Sequence, residues 1–306
     1  MNASAPLVGI GMPICNEERH LPEALDSILA QAYPDFELLI CDNASQDRTP
    51  KICLEYAARD PRICYYRNET NVGAIENFNR VFRLSRGKYF MWAAGHDLWA
   101  RTFIGRCMER LEDEGSAVLC YPRAQFIRED GRPIPAAEIF VDTRRLGTLS
   151  RFNVVAWDLL TCYSIYGVIR RDALQSCRPA RIVLSPDVVL LSELAIQGAF
   201  ISLDEVLFYP RDNWGDLARN TRQERVGRMF RMMAGSETAR PPRFPFVHRS
   251  WEFALGARHA QVPFWTKCAL VSSAVFCCFL VLYRHLPSFL RLPLRRAARA
   301  RLGVSQ

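Results

Sequence analysis

Neither of the glycine-rich loops that most often cradle nucleotide phosphates is present: the chain contains no G-x-G-x-x-G and no G-x-x-x-x-G-K-[ST]. That removes the dinucleotide-binding fingerprint and the P-loop from consideration. Its eleven cysteines follow no metal or disulfide spacing, and Cys277-Cys278 is the only close pair. An odd count without a framework favours a reducing compartment. Acidic residues are missing altogether after Glu252, where eight basic residues follow. The whole-chain excess is 40 − 32 = 8, so residues 1–252 sum to zero. A general nucleic-acid footprint is therefore absent. The apolar run 268–283 holds sixteen uncharged residues. As a helix it would reach about 24 Å, short of a hydrocarbon core of roughly 30 Å. No charged-then-apolar signal opens the chain, so a cytoplasmic location is expected.

What is present is an ordinary globular composition with ample length for one large α/β domain and an appendage. Apolar runs predict strands near 7–12, 36–41, 62–66, 88–93 and 117–121. Helical periodicity falls near 18–31, 47–59, 73–85 and 101–113. The alternation implies a mostly parallel sheet flanked by helices on both faces. Residues 129–150 read as an excursion, with Glu129-Asp130-Gly131-Arg132-Pro133 as a turn. A second, mixed half follows: an apolar piece at 163–169, an amphipathic helix over 188–197 and a strand over 200–208. Residues 212–248 are polar, Arg-rich and helical in part. The first two strands end in polar clusters, Pro13-Ile14-Cys15-Asn16-Glu17-Glu18 and Asp42-Asn43-Ala44-Ser45. In open α/β sheets ligands bind at that edge. Asp42 can accept from a base N–H or a ribose hydroxyl there, or it can form an Asx-turn that caps the next helix.

These residues carry a resemblance. Pro13, Asn16 and Glu18, the run Ser27-Ile28-Leu29-Ala30-Gln31, and Asp42, Ser45, Asp47 and Thr49 stand as in the family 2 glycosyltransferases. The likeness continues through Asn71-Val72-Gly73, Asn77, Asn79 and Arg86-Gly87-Lys88-Tyr89. It is dense over residues 6–115 and scattered to about residue 215. It implies a GT-A-like fold over residues 1–215, with a nucleotide-binding half at 6–115 and an acceptor-side half at 116–215. A helical, basic extension at 216–306 would follow. It further implies an inverting transfer of one sugar from a nucleotide donor to a hydroxyl acceptor, in polysaccharide or glycolipid assembly. The Q-x-x-R-W signature of processive synthases is absent.

By the same resemblance, Pro13, Asn16, Glu18, Asp42, Asn71 and Gly73 are expected at the nucleotide. Each has a plainer alternative, in which Glu18 serves the first helical turn and Asn71 only caps a helix. Asn77 and Asn79 are expected to be structural or to face solvent. Relatives follow the fourth strand with D-x-D, whose acids hold Mg²⁺ or Mn²⁺ against the donor diphosphate. This chain has Ala94, His96 and Asp97 there, so the motif is half dismantled. His96 and Asp97 are left as candidate ligands for Mn²⁺ or Mg²⁺, or His96 as a direct partner of the diphosphate. Arg211 is a candidate at the diphosphate, and Gly167 and Arg170 at the acceptor side. Asp187, opening the helix after Ser185-Pro186, is the candidate base, with Glu193 expected to face solvent.

The tail suggests a membrane partner: residues 284–301 carry six arginines beyond the apolar run, suited to anionic headgroups. A buried core helix followed by a solvated basic helix is the alternative. The expected setting is peripheral, at the inner face of the cell membrane, with a glycan or lipid-linked acceptor. A sugar-nucleotidyltransferase would need a glycine-rich loop with a lysine near its N-terminus, which is missing. A catalytically silent nucleotide- or glycan-binding relative stays open because of the altered D-x-D.

Overall fold

The computed structural model of the chain describes residues 6–135, 141–158, 163–212 and 221–285. Its first half alternates strand and helix: β1 (Val8–Ile14), α1 (Leu21–Leu29), β2 (Phe36–Asp42), α2 (Thr49–Ala57), β3 (Ile63–Arg67), α3 (Ala74–Leu84), β4 (Tyr89–Trp92), β5 (Leu98–Trp99), α4 (Phe103–Asp113) and β6 (Ala117–Ala124). Then come α5 (Thr148–Asn153), β7 (Val168–Arg170), α6 (Arg171–Gln175), α7 (Pro186–Gln197), β8 (Ala199–Tyr209), α8 (Arg222–Ala234), α9 (Pro245–His259) and α10 (Phe264–His285).

One sheet runs through the molecule in the order β3-β2-β1-β4-β7-β6-β8-β5. β1 pairs in parallel with β2 and β4, and β6 with β8, while β7 and β5 run antiparallel to their neighbours. The mostly parallel arrangement expected is present, and the two antiparallel strands make it mixed. Period-two alternation sorts side chains between faces. Tyr89, Met91 and Ala93 enter one core with α1 and α4, whereas Phe90 and Trp92 enter the other with α3 and α7. α1 shows why its sequence is a helix: Leu21, Ala24, Leu25 and Ile28 recur at helical spacing and are buried on the sheet, with Pro22 in the first turn.

α7 differs from its expected form. Every residue of the helix from Val188 to Ile196 is buried, so it is enclosed rather than amphipathic. Glu193, expected in solvent, is 3% exposed. It is held there by charge: its carboxylate accepts from Arg178 Nε and Nη2 and from Arg181 Nη2, and both arginines also pair with Glu252 of α9. A third core joins α5, α7, α9 and α10 through Phe152, Val188, Phe253, Leu270 and Ala274. The C-terminal helices are thus packed onto the sheet domain.

Pairing also orients the edges. Val8 of β1 lies beside Phe36 and Tyr89, and Ile14 beside Asp42, so β1, β2 and β4 all end on one side. β8 starts beside Ala117 on the opposite side. The helix feeding it, α7, ends on that opposite side.

Candidate active site

The ends of β1 and β2 are stitched together by side chains. Three successive amides give their protons to the second loop: Asn16 N–H to Ser45 Oγ, Glu17 N–H to Thr49 Oγ1 and Glu18 N–H to Asp47 Oδ2. The loop returns two, Gln46 N–H to Asn16 Oδ1 and Arg48 N–H to Glu18 Oε2. The polar residues shared with family 2 thus satisfy the backbone of two tight loops, which would otherwise be costly so near the core. Asn16 and Glu18 lie at the expected edge with these side-chain oxygens engaged. Pro13 lies inside β1, opposite Cys41, beyond Gly11 where the pairing with β4 ends. A missing N–H costs nothing there.

Asp42 is completely buried. Its Oδ1 accepts from Ser45 N–H at 2.9 Å, and its Oδ2 from the Tyr65 hydroxyl at 2.8 Å, with Arg67 Nε 3.4 Å away. The carboxylate thus closes its own loop three residues on, while α2 begins only after Arg48. Asparagines continue the lattice toward α3: Asn43 donates to Asn71 and accepts from Asn68 and the Val72 amide. Asn77 donates to the Cys41 carbonyl, and Asn79 is bonded both ways to Ala180. Both are structural, as expected. Tyr65, Asn43 and Asn68 went unmarked in the sequence because each acts through a partner more than twenty residues away.

The start of α3 is less open than its sequence suggests. Gly73 N–H is taken by Asn71 Oδ1. Gly73 adopts φ +86°, and a Cβ there would meet Met233 O at 2.4 Å, at the end of α8. Gly235 closes α8 at φ +63° against Gly73 from the other side. Two glycines thus allow the extension to cover the α3 N-terminus, where any side chain would collide.

His96 and Asp97 follow β4 on a loop that Gly95 lets settle against Ile14 and Glu17. His96 Nδ1 donates to Glu17 Oε1 at 3.0 Å, and its Nε2 lies 3.9 Å from Asp97 Oδ1. Burial opposes a charged imidazole, but the hydrogen bond and charge of Glu17 outweigh it and hold His96 above its ordinary value. Burial pushes Asp97 the other way for an acid, up to about 6, against the pull of His96 and the Arg211 amide. Asp97 Oδ1 accepts that amide at 2.8 Å. Among the described residues, no group of three His, Cys, Asp or Glu side chains converges to hold a metal. With Nδ1 already serving Glu17, His96 Nε2 and the Asp97 carboxylate are the pair that could hold an ion here.

Arg211 reaches the expected edge but faces inward. Its guanidinium donates to the carbonyls of His96, Arg128 and Glu129 and to Glu23, leaving the side chain 1% exposed. It fixes the His96–Asp97 loop instead of presenting a free fork to a phosphate. Gly167 packs against the β6 backbone, where a Cβ would meet Cys120 O at 2.5 Å. Arg170 sits beside Tyr89 at the far edge and bonds to the Ala117 and Leu111 carbonyls and the Tyr89 hydroxyl. Arg170 is thus carried away from Asp42, whereas Gly167, at the other end of β7, lies toward the C-terminal ends of β4 and β6. Asp187, half-buried, stands in the first turn of α7 and accepts the Val188 amide. Among the described residues, the non-glycine positions with positive φ are Asn16, Ala44 and Ser185. Asn16 and Ala44 belong to the two loops joined at this edge, Ser185 precedes α7, and such strain collects at functional sites.

A mixed α/β sheet whose loops gather carboxylates, an imidazole and strained backbone at one edge defines a sheet-edge ligand site. Residues 10–178 match the family described as glycosyl transferase family 2, and the chain belongs to it. An uncharacterised glycosyltransferase of Rickettsia typhi is 36% identical over 122 residues, which cover 39% of this chain and 37% of that protein. The chain spans about a third of the length of the curated relatives it first matches. Staphylococcus aureus TarS 1-349, solved in complex with UDP, superposes with a TM-score of 0.60 at 15% identity, covering 88% of this chain and 70% of that one. The mannosyltransferase PcManGT from Pyrobaculum calidifontis, solved with GDP-Man and Mn²⁺, gives 0.52 at 17% identity, covering 90% and 81%. At these identities the superpositions establish the shared fold.

Proposed function

We propose that this chain is an inverting glycosyltransferase that moves one sugar from a nucleotide-diphosphate sugar to a hydroxyl acceptor, in cell-surface polysaccharide or glycolipid assembly. The observation that carries the proposal is the gathering of Asp42, His96 and Asp97 beyond the ends of β2 and β4 within a family 2 fold. Asp42 and its loop would receive the nucleoside. Asp187 would take the proton of the acceptor hydroxyl as that oxygen attacks the anomeric carbon. The bond to the diphosphate breaks on the opposite face, so the configuration inverts. The half-buried setting of Asp187 leaves its second oxygen free of the helix for that proton.

A divalent ion, Mn²⁺ or Mg²⁺, would be held by His96 and Asp97, with the donor diphosphate completing its shell. When bound it would supply charge neutralisation of the departing nucleotide. The imidazole suits Mn²⁺ better than Mg²⁺. Glu17 fixes the ring so that Nε2 is the nitrogen turned toward Asp97. Arg211, through the loop carbonyl and amide, keeps both side chains in place. The setting we propose is the inner face of the cell membrane, where a lipid-linked acceptor would be presented. Among the described residues no helix is long and apolar enough to cross a membrane.

The test is calorimetric titration with UDP, GDP and dTDP, each with Mn²⁺ and again with EDTA. Metal-dependent binding of one nucleotide is expected. Equal binding in EDTA would remove the metal from His96 and Asp97. Failure of all three nucleotides to bind would favour a silent relative, as the half-dismantled D-x-D suggests.

A further inference from the structure

All of the strongly exposed Phe and Trp side chains among the described residues lie between residues 244 and 279: Phe244, Trp251, Phe264, Trp265, Phe276 and Phe279. Trp265, at 80%, is the most exposed of them. The sheet domain, with nearly two hundred residues, contributes none. Exposed aromatics so concentrated mark a contact surface.

α10 shows how the surface is made. One face of the helix is sealed against the protein: Leu270 and Ala274 are fully buried, and Ser273 Oγ donates to Asn153 Oδ1 at 2.6 Å. The other carries Trp265, Ser272, Val275, Phe276 and Phe279, all exposed and spaced as one helical stripe. Phe264 stands beside Trp265 in an edge-on contact at 5.4 Å, where the short link from α9 enters α10. The run 268–283 is thus half committed to the protein core. No helix among the described residues is long and apolar enough to cross a membrane.

We propose that the α9–α10 hairpin is a monotopic anchor, which sets its aromatic stripe into the headgroup boundary of an anionic bilayer. The occupant follows from charge. After Glu252 the chain carries eight basic residues and no acid, and Arg258, Arg240 and Arg243 are exposed around the hairpin. Trp and Phe beside Arg, with no acid beyond the paired Glu252 on the two helices, are the composition that an interface rich in anionic lipid selects. A second copy of the chain would instead bring two basic surfaces together, which like-charge repulsion opposes. The arginines at 291–301 add to the same charge and lie outside the described residues. The proposal rests on the membrane setting given above, but it requires no sugar transfer.

The experiment is co-sedimentation of the full chain with vesicles of phosphatidylcholine alone and of phosphatidylcholine mixed with phosphatidylglycerol. Binding is expected to the mixed vesicles, weakened by salt. The double variant Trp265→Ser/Phe276→Ser should bind them about 100-fold more weakly, from roughly tenfold per inserted ring. Both positions are on the surface, so its urea midpoint and nucleotide titration should match the wild type. A single Trp265→Phe should keep the binding while reducing quenching by brominated acyl chains. Absence of wild-type binding to the mixed vesicles, or full binding by the double variant, overturns the anchor. Self-association without vesicle binding, abolished by the double variant, overturns it in favour of a dimer face. Intact nucleotide binding beside a failed vesicle assay would leave the transferase reading standing.

Discussion

Replacing Asp42 separates two roles that one carboxylate could fill. In Asp42→Ala, the Ser45 amide and the partly buried Tyr65 hydroxyl lose an acceptor that is itself completely buried. A buried donor left unpaired costs about 1–3 kcal/mol, so the pair predicts a loss of roughly 2–6 kcal/mol. Arg67, with its side chain 47% exposed, can turn to water and adds little. Asp42→Asn keeps an oxygen for Ser45, and its amide can donate to a reversed Tyr65 hydroxyl. That variant should lose about 1 kcal/mol. Urea titration read by tryptophan fluorescence suits the measurement, because Trp92 and Trp99 are buried in the sheet domain. The same two proteins are then titrated with nucleotide. If the carboxylate accepts from a base or ribose, Asp42→Asn should weaken binding about tenfold or more despite its intact fold. A stability loss in Asp42→Ala below about 0.5 kcal/mol would refute the buried network. Unchanged nucleotide affinity in Asp42→Asn would leave Asp42 as scaffold alone.

Asp187→Asn is expected to hold nucleotide affinity while turnover falls about 10²–10⁴-fold, the range for removing a general base; retained turnover would assign the base elsewhere. Glu193→Ala should destabilise the protein by roughly 3–5 kcal/mol in denaturant, because it strands two partly buried guanidinium groups between α7 and α9. A loss under about 1 kcal/mol would mean that Glu252 alone neutralises them.

The first half of the fold was legible because its apolar runs are long enough to show a period and each ends in a polar cluster. β5 and β7, of two and three residues, are too short to show any period, so the mixed character of the sheet stayed hidden. Residue type located Asp42, His96 and Asp97, but their partners come from the folded chain. Arg211 reads as a phosphate ligand until Glu23, 188 positions earlier, is found against it. Arg170 reads as acceptor-side until its strand is seen to run antiparallel, carrying it to the far edge. Glu193 misled for a related reason. A carboxylate on a helix implies solvent, unless arginines from another segment enclose it, and Arg178 and Arg181 do so.

The loop bearing His96 and Asp97 is completed late. The range matched to the family ends at residue 178, yet Leu98 and Trp99 pair with Tyr209 and Phe208, and Arg211 holds the loop backbone. A ribosome delivering this chain would release the candidate ligands more than a hundred residues before their clamp, so the site cannot be finished while the first half stands alone. The same constraint acts on evolutionary time. Recombination that exchanged N-terminal halves between relatives would inherit the motif without its support, unless β8 and Arg211 travelled with it.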